Sequence, residues 1–128
     1  MSKDGSKRIL TVGGCPEDLQ RTSAALESAG YFVVKANSAT LALNILDCNS
    51  DFALIVTEAG LPDFPGKELI KRLRIISDYS RVPSIIISER IKMHEIDELL
   101  ELGASYFLPK PLNIESLLEY ARKILGKD

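Results

Sequence analysis

A chain of 128 residues accommodates one domain, and folding at that length buries roughly two-thirds of the unfolded surface, enough for a hydrophobic core. Hydrophobic residues at 45% and charged residues at 27% exclude a disordered or collagen-like chain, and a net charge of −2 supplies none of the basic bias that nonspecific nucleic-acid binding requires. No stretch approaches the eighteen or more apolar residues of a membrane span, and Cys15, Cys48 and the single His94 are too few for a disulfide framework or a zinc site, so a cytoplasmic protein with reduced thiols is expected, with neither nucleic acid nor membrane as partner.

Residues 1–7 are polar and read as a flexible N-terminal segment ahead of a folded unit at 8–126. The apolar run 8–12 predicts a first strand. Gly13 and Gly14 follow it, and a helix then opens at Pro16, which suits a first helical turn, with Glu17 and Asp18 near its positive end; Leu19, Thr22, Ser23 and Leu26 make its inward stripe and Gly30 stops it. After a strand at 31–35, Ser38 is the N-cap of a second helix that presents Leu41, Ala42, Ile45 and Leu46 at helical spacing and ends at Asn49 and Ser50. A strand at 52–57 leads to a third helix, with Leu69, Ile70, Leu73 and Ile76 inward and Lys67, Lys71, Arg72 and Arg74 on a basic, solvated face. A strand at 82–88 precedes a fourth helix with Ile96, Leu99 and Leu100 inward, acidic residues Glu95, Asp97, Glu98 and Glu101 largely outward, and Gly103 at its end. The last strand is 105–108, and Asn113 caps a final helix that lays Leu117, Leu118, Ala121, Ile124 and Leu125 on the sheet.

Strands alternating with helices predict an α/β fold, a doubly wound parallel sheet covered on both faces. Residues 53–56 and 84–87 are almost free of polar interruption, as strands buried on both sides should be, while 31–35 and 105–108 are mixed in polarity and suit the edges. In such sheets ligands collect outside the carboxyl ends of the strands. Gly13 and Gly14, Glu58, Ser88 and Lys110 all fall there, from four separate segments. Plainer roles exist for each: a tight turn at the glycines, a solvated charge at Glu58, a strand end at Ser88.

These segments resemble the response-regulator receiver family of two-component signalling over nearly all of residues 8–125. The stretch 9–18 is similar to the family's first strand and loop, where two acidic residues hold magnesium; here that pair is Gly13 and Gly14. The stretch 51–62 resembles the third strand, in which the phosphate-accepting aspartate lies four residues before a proline; counting back from Pro62 gives Glu58. Ser88 stands at the family's Ser/Thr position after the fourth strand. The stretch 103–111 resembles the terminal strand and its Lys-Pro turn, which makes Lys110 the phosphate-sensing equivalent, Phe107 the aromatic switch equivalent, and Lys110–Pro111 a candidate cis peptide.

The resemblance implies a flavodoxin-like fold, five parallel strands in the order 2-1-3-4-5 flanked by five helices. It also implies a degenerate member, a pseudo-receiver. With two of three expected carboxylates missing, magnesium binding is expected to be weak or absent, and no residue is expected to act as a fully active catalyst. Removing two neighbouring charges should let Glu58 ionise more readily than an ordinary acceptor, reach toward Ser88 and Lys110, and mimic part of a phosphoryl group, drawing Ser88 and Phe107 inward. The implied role is a non-enzymatic phosphorelay interaction module whose partner, a histidine kinase, an effector domain or a second copy, docks on the face of the fourth helix, fifth strand and fifth helix. An alternative is a phosphorylation-competent regulator with an atypical acceptor. A nucleotide cradle at Gly13 and Gly14 is weakly supported, because Glu17 and Asp18 would repel an anion, and Cys15 lacks the basic neighbour of a reactive thiol.

Overall fold

In the computed structural model of the chain, β-branched and aliphatic runs form strands, and the amphipathic segments between them form helices. The structure describes residues 7–49, 51–76, 79–90 and 93–126. Most of the N-terminal segment and Ser50 therefore lie outside the described residues. The elements, in chain order, are β1 (Arg8–Val12), α1 (Pro16–Ser28), β2 (Phe32–Ala36), α2 (Ala39–Cys48), β3 (Phe52–Glu58), α3 (Gly66–Leu73), β4 (Ser84–Ser88), α4 (Met93–Glu101), β5 (Tyr106–Pro109) and α5 (Ile114–Leu125).

The sheet is parallel throughout and runs β2-β1-β3-β4-β5, the order and architecture expected. Strand alternation divides its side chains between two cores. On one side Leu10, Ile55 and Ile86 meet Ala42, Leu46, Leu69, Leu73 and Leu99 of α2, α3 and α4. On the other, Ile9, Leu54, Val56, Ile85 and Ile87 meet Leu26, Leu117 and Ala121 of α1 and α5. Ser38 caps α2 by accepting from the Leu41 N–H at 3.1 Å, and Asn113 caps α5 by accepting from the Ser116 N–H at 3.0 Å. Among the described residues no helix is long and apolar enough to cross a membrane.

Several boundaries move for identifiable reasons. The Tyr31 N–H is taken by the Leu26 carbonyl in the closing turn of α1, so pairing of β2 starts at Phe32, opposite Arg8. β4 begins at Ser84, not Val82, because Pro83 has no N–H to give a ladder and the Val82 carbonyl accepts from Arg74. β3 gains one residue, and Glu58 pairs with Ile87 as the last rung of the β3–β4 ladder instead of lying in a loop.

Three side chains depart from the expected faces. Leu100 is 52% exposed and Leu41 is exposed as well, since the apolar stripe of each helix is satisfied by fewer residues than periodicity alone suggests. Arg74 is not on a solvated basic face. It follows α3, and its guanidinium donates to the carbonyls of Leu102, Gly103, Tyr79 and Val82, binding the ends of α3 and α4 to the start of β4. Gly103, at φ +89°, takes a left-handed conformation against that guanidinium, where a Cβ would lie 3.1 Å from an Arg74 nitrogen. Tyr79, fully buried, donates its hydroxyl to the Asn49 carbonyl and fastens the end of α2 beneath the same core.

Candidate functional site

Glu58 shares one face of β3 with Leu54 and Val56, the residues that face α1 and α5, and this register aims its side chain at that side of the carboxyl edge. There it lies over Gly13. A Cβ at residue 13 would stand 3.0 Å from Glu58 Oε2 and 3.1 Å from its Cδ, so the extra methylene of glutamate occupies space that a side chain on the first loop would otherwise claim. Gly14 makes a similar accommodation: a Cβ there would meet Pro62 Cδ at 2.9 Å. The two glycines are thus shaped to neighbours from the β3–α3 segment.

The other oxygen of Glu58, Oε1, is 3.4 Å from Lys110 Nζ. The same ammonium donates to Asp18 Oδ2 at 3.1 Å. One cation therefore joins β3, the first turn of α1 and the turn after β5. The expectation for Asp18 went no further than a charge complementing the helix dipole, and its second task depends on Lys110, 92 positions away, which no local pattern reveals. The Lys110–Pro111 peptide bond is cis.

Burial pushes the Glu58 carboxyl above the ordinary glutamate range; the charge and hydrogen bond of Lys110 pull it only part of the way back, and Asp18 and Glu89 add to the rise. The rise is relative to a free glutamate: Glu58 belongs to a strand and is 8% exposed, so desolvation dominates its environment. At Lys110 burial acts to lower the pKa, but the Asp18 hydrogen bond and the charges of Glu58 and Asp18 outweigh it, so the amine is held protonated.

Ser88 does not reach toward Glu58. Its hydroxyl donates to the Arg90 carbonyl at 2.9 Å and accepts from the Arg90 N–H at 3.3 Å, closing a local turn. Phe107, in contrast, is half-buried and packs on the α2–α3–α4 core. The expected joint inward movement of both residues is therefore not what the structure has: the ring is in while the hydroxyl is engaged elsewhere. Ser88, Glu58 and Lys110 still share a cleft of about 390 Å³, and a second cleft of about 400 Å³ is lined by Asp18, Arg21, Thr22, Glu58 and Lys110. Cys15 and Cys48 are free and exposed, and His94 is exposed on α4.

The segment after β3 is fixed from the opposite side. Asp63 accepts from the N–H groups of Ala39 and Thr40 at the start of α2, at 3.0 and 2.7 Å, from the Thr40 hydroxyl at 2.6 Å, and from the Phe64 N–H at 3.1 Å. These bonds, led by that of the Thr40 hydroxyl, hold its carboxyl well below the usual aspartate range. Pro62, adjacent to Asp63, is thereby kept against Gly14.

A sheet of this order with acidic and basic side chains converging at its carboxyl edge is the arrangement that a receiver would have, and comparison with known proteins decides the family. Residues 9–122 match the response regulator receiver domain, and the chain belongs to that family. It is 26% identical over 125 residues to the two-component response regulator ORR5 of rice, covering 98% of this chain and 93% of that protein. Among solved structures it is similar to the chemotaxis protein CheY4 of Vibrio cholerae, at 27% identity and a TM-score of 0.87 over 93% of this chain and 98% of that one. A receiver domain from Methanospirillum hungatei gives 29% identity and a TM-score of 0.87, covering 94% of each chain.

Proposed function

We propose that this receiver works as a phosphorylation-silent interaction module, docking a signalling partner through the face of α4, β5 and α5. The observation that carries the reading is the composition of the pocket: Gly13 and Gly14 offer no oxygen-bearing side chains, and of the carboxylates that line its clefts, Glu58, Asp18 and Glu89, the first two are engaged by Lys110. This donor set does not fit a divalent cation, which needs oxygen ligands free of a competing ammonium. Phosphoryl transfer to a carboxylate relies on such an ion to neutralise the phosphoryl oxygens, and without it the acceptor-equivalent Glu58 and the sensing-equivalents Ser88 and Lys110 have no phosphate to hold.

Glu58 acts in this reading as a structural anion, not as a close copy of a phosphoryl group, since it offers one charge and two oxygens where phosphate offers about −1.5 to −2 and three. The packed Phe107 gives the α4–β5–α5 face a set shape without a phosphorylation event. On that face Met93 and Leu100 are exposed apolar residues among acidic neighbours Asp97 and Glu101, a surface suited to protein contact.

Incubation with a small acyl phosphate and magnesium, followed by intact-mass measurement, tests the reading. The expected spectrum is that of the unmodified chain. A stoichiometric phosphoryl adduct on Glu58 would instead establish a working regulator with an atypical acceptor.

A further inference from the structure

α4 is the least embedded of the five helices. Of its nine residues only Leu99 is buried, whereas α3 buries Gly66, Leu69, Ile70 and Leu73 of its eight. The seam between these two helices is charged where packed helices ordinarily interlock side chains: a cleft of about 190 Å³ separates them, lined by Lys67, Lys71, Glu98, Glu101 and Leu102. Polar contacts from α3 therefore hold α4 on this side, and they fall at two points. At the carboxyl end of α4 the Arg74 guanidinium donates to the Leu102 and Gly103 carbonyls. One helical turn earlier the Lys67 ammonium donates to Glu98 Oε1 at 2.6 Å.

The two attachments differ in kind. Arg74 is half-buried and its planar fork also reaches the Tyr79 and Val82 carbonyls, so that end is fastened to the start of β4 as well. Lys67 and Glu98 have side chains 43% and 50% exposed, so water and salt compete for their pair. Both partners are charged at neutral pH: the hydrogen bond and charge of Lys67 hold the Glu98 carboxyl below the ordinary glutamate range, and Glu98 in return raises the Lys67 amine.

We propose that the Lys67–Glu98 pair is a releasable latch between α3 and α4, and that breaking it lets α4 swing away from α3 about its Arg74-bound carboxyl end. Gly103, at φ +89°, turns the chain there from α4 toward β5, and the bond from Arg74 keeps that turn in place. The swing uncovers Leu99 and the core beneath it, against which Phe107 also packs. The latch stands on the α3–α4 geometry and not on the phosphorylation-silent pocket. For a partner that docks on α4, it fixes the position of that helix until a competing charge takes Glu98 or Lys67.

The test is the distance between two spin labels on the full chain, in a Cys15→Ser, Cys48→Ser background. One label is at the exposed Asn44 of α2; the other is at Met93 or at Leu100, both exposed, at opposite ends of α4. Along the helix Met93 lies about 15 Å and Leu100 about 4.5 Å from Gly103, so a swing about that end should displace the Met93 label about three times as far. In Lys67→Met and in Glu98→Ala the population at the longer Asn44–Met93 distance should rise about twofold to fivefold, the span that loss of an exposed ion pair gives. Salt at about 1 M should do the same to the unaltered protein, and Lys67→Arg should keep the unaltered distribution. An unchanged Met93 distance in both variants, with circular dichroism showing them folded, overturns the latch. Equal displacement of the Met93 and Leu100 labels overturns it too, since the helix would then be detaching rather than pivoting. Either failure leaves the intact-mass test of the pocket unaffected.

Discussion

Replacing Gly13 by alanine probes the packing of Glu58 directly. The backbone at Gly13 has no positive φ, so alanine is conformationally permitted, and the loss of unfolded-chain freedom alone should stabilise the protein by about 0.4–1 kcal/mol. Against this stands the contact of the new Cβ with Glu58 Oε2 at 3.0 Å and Cδ at 3.1 Å. Glu58 cannot swing freely, since it is buried and its other oxygen is held by Lys110, so the overpacking should cost about 1–3 kcal/mol. Gly13→Ala is therefore expected to destabilise by about 1 kcal/mol net, lowering the urea midpoint by about 0.5 M. In a Glu58→Ala background the obstacle is gone and the sign should reverse, giving a coupling of about 1–3 kcal/mol between residues 13 and 58. Urea unfolding of the four proteins of this cycle measures it. Additivity within about 0.5 kcal/mol would refute the claim that Gly13 and Glu58 are shaped to each other.

Arg74→Ala should cost about 2–3 kcal/mol in the same assay, since it strips several carbonyls around the ends of α3 and α4 of a charged donor; Arg74→Lys should recover less than half, because one ammonium cannot span the carbonyls that the planar fork reaches. Asp63 has a folded pKa below its unfolded value, so its contribution is present above the ordinary aspartate range and is lost as pH falls. Asp63→Asn should accordingly lower Tm at pH 7, with the gap narrowing on acidification; a gap that widens contradicts the trans-capping role. For Glu58 the sign is opposite: its folded pKa is raised, so its contribution is full below the ordinary glutamate range and is lost as pH rises through the folded value. Glu58→Gln should then be more favourable to stability at pH 7 than at pH 4, as read by thermal melts at the two pH values.

The periodicities of the sequence carried the strand order's ingredients well because both sheet faces are covered, which leaves apolar runs such as 53–56 and 84–87 nearly pure. They failed where a polar side chain turned back into the fold. Arg74 fits the helical spacing of a solvated stripe, yet the free carbonyls at the end of α4 supply partners that only the tertiary arrangement assembles. Leu100 had the hydrophobicity of a core residue and the position of a surface one. In the site, Gly13, Gly14, Glu58 and Lys110 were legible from their place at strand ends and from the resemblance to receivers. Asp18 was visible only as a helix-start acid, because an ion pair across the sheet leaves no local spacing. The bonding of Ser88 to Arg90 was equally hidden, since a hydroxyl at a strand end can serve a pocket or its own turn with the same sequence.

Magnesium titration of the unaltered protein by calorimetry reaches the central claim most directly, because everything proposed for the pocket depends on a shortage of free anionic oxygens around Glu58. The account predicts no saturable heat through the millimolar range and no shift of the Gly13 and Glu58 amide resonances in a parallel titration. Millimolar or tighter binding that moves both resonances would contradict it and return the pocket to metal-dependent phosphoryl chemistry.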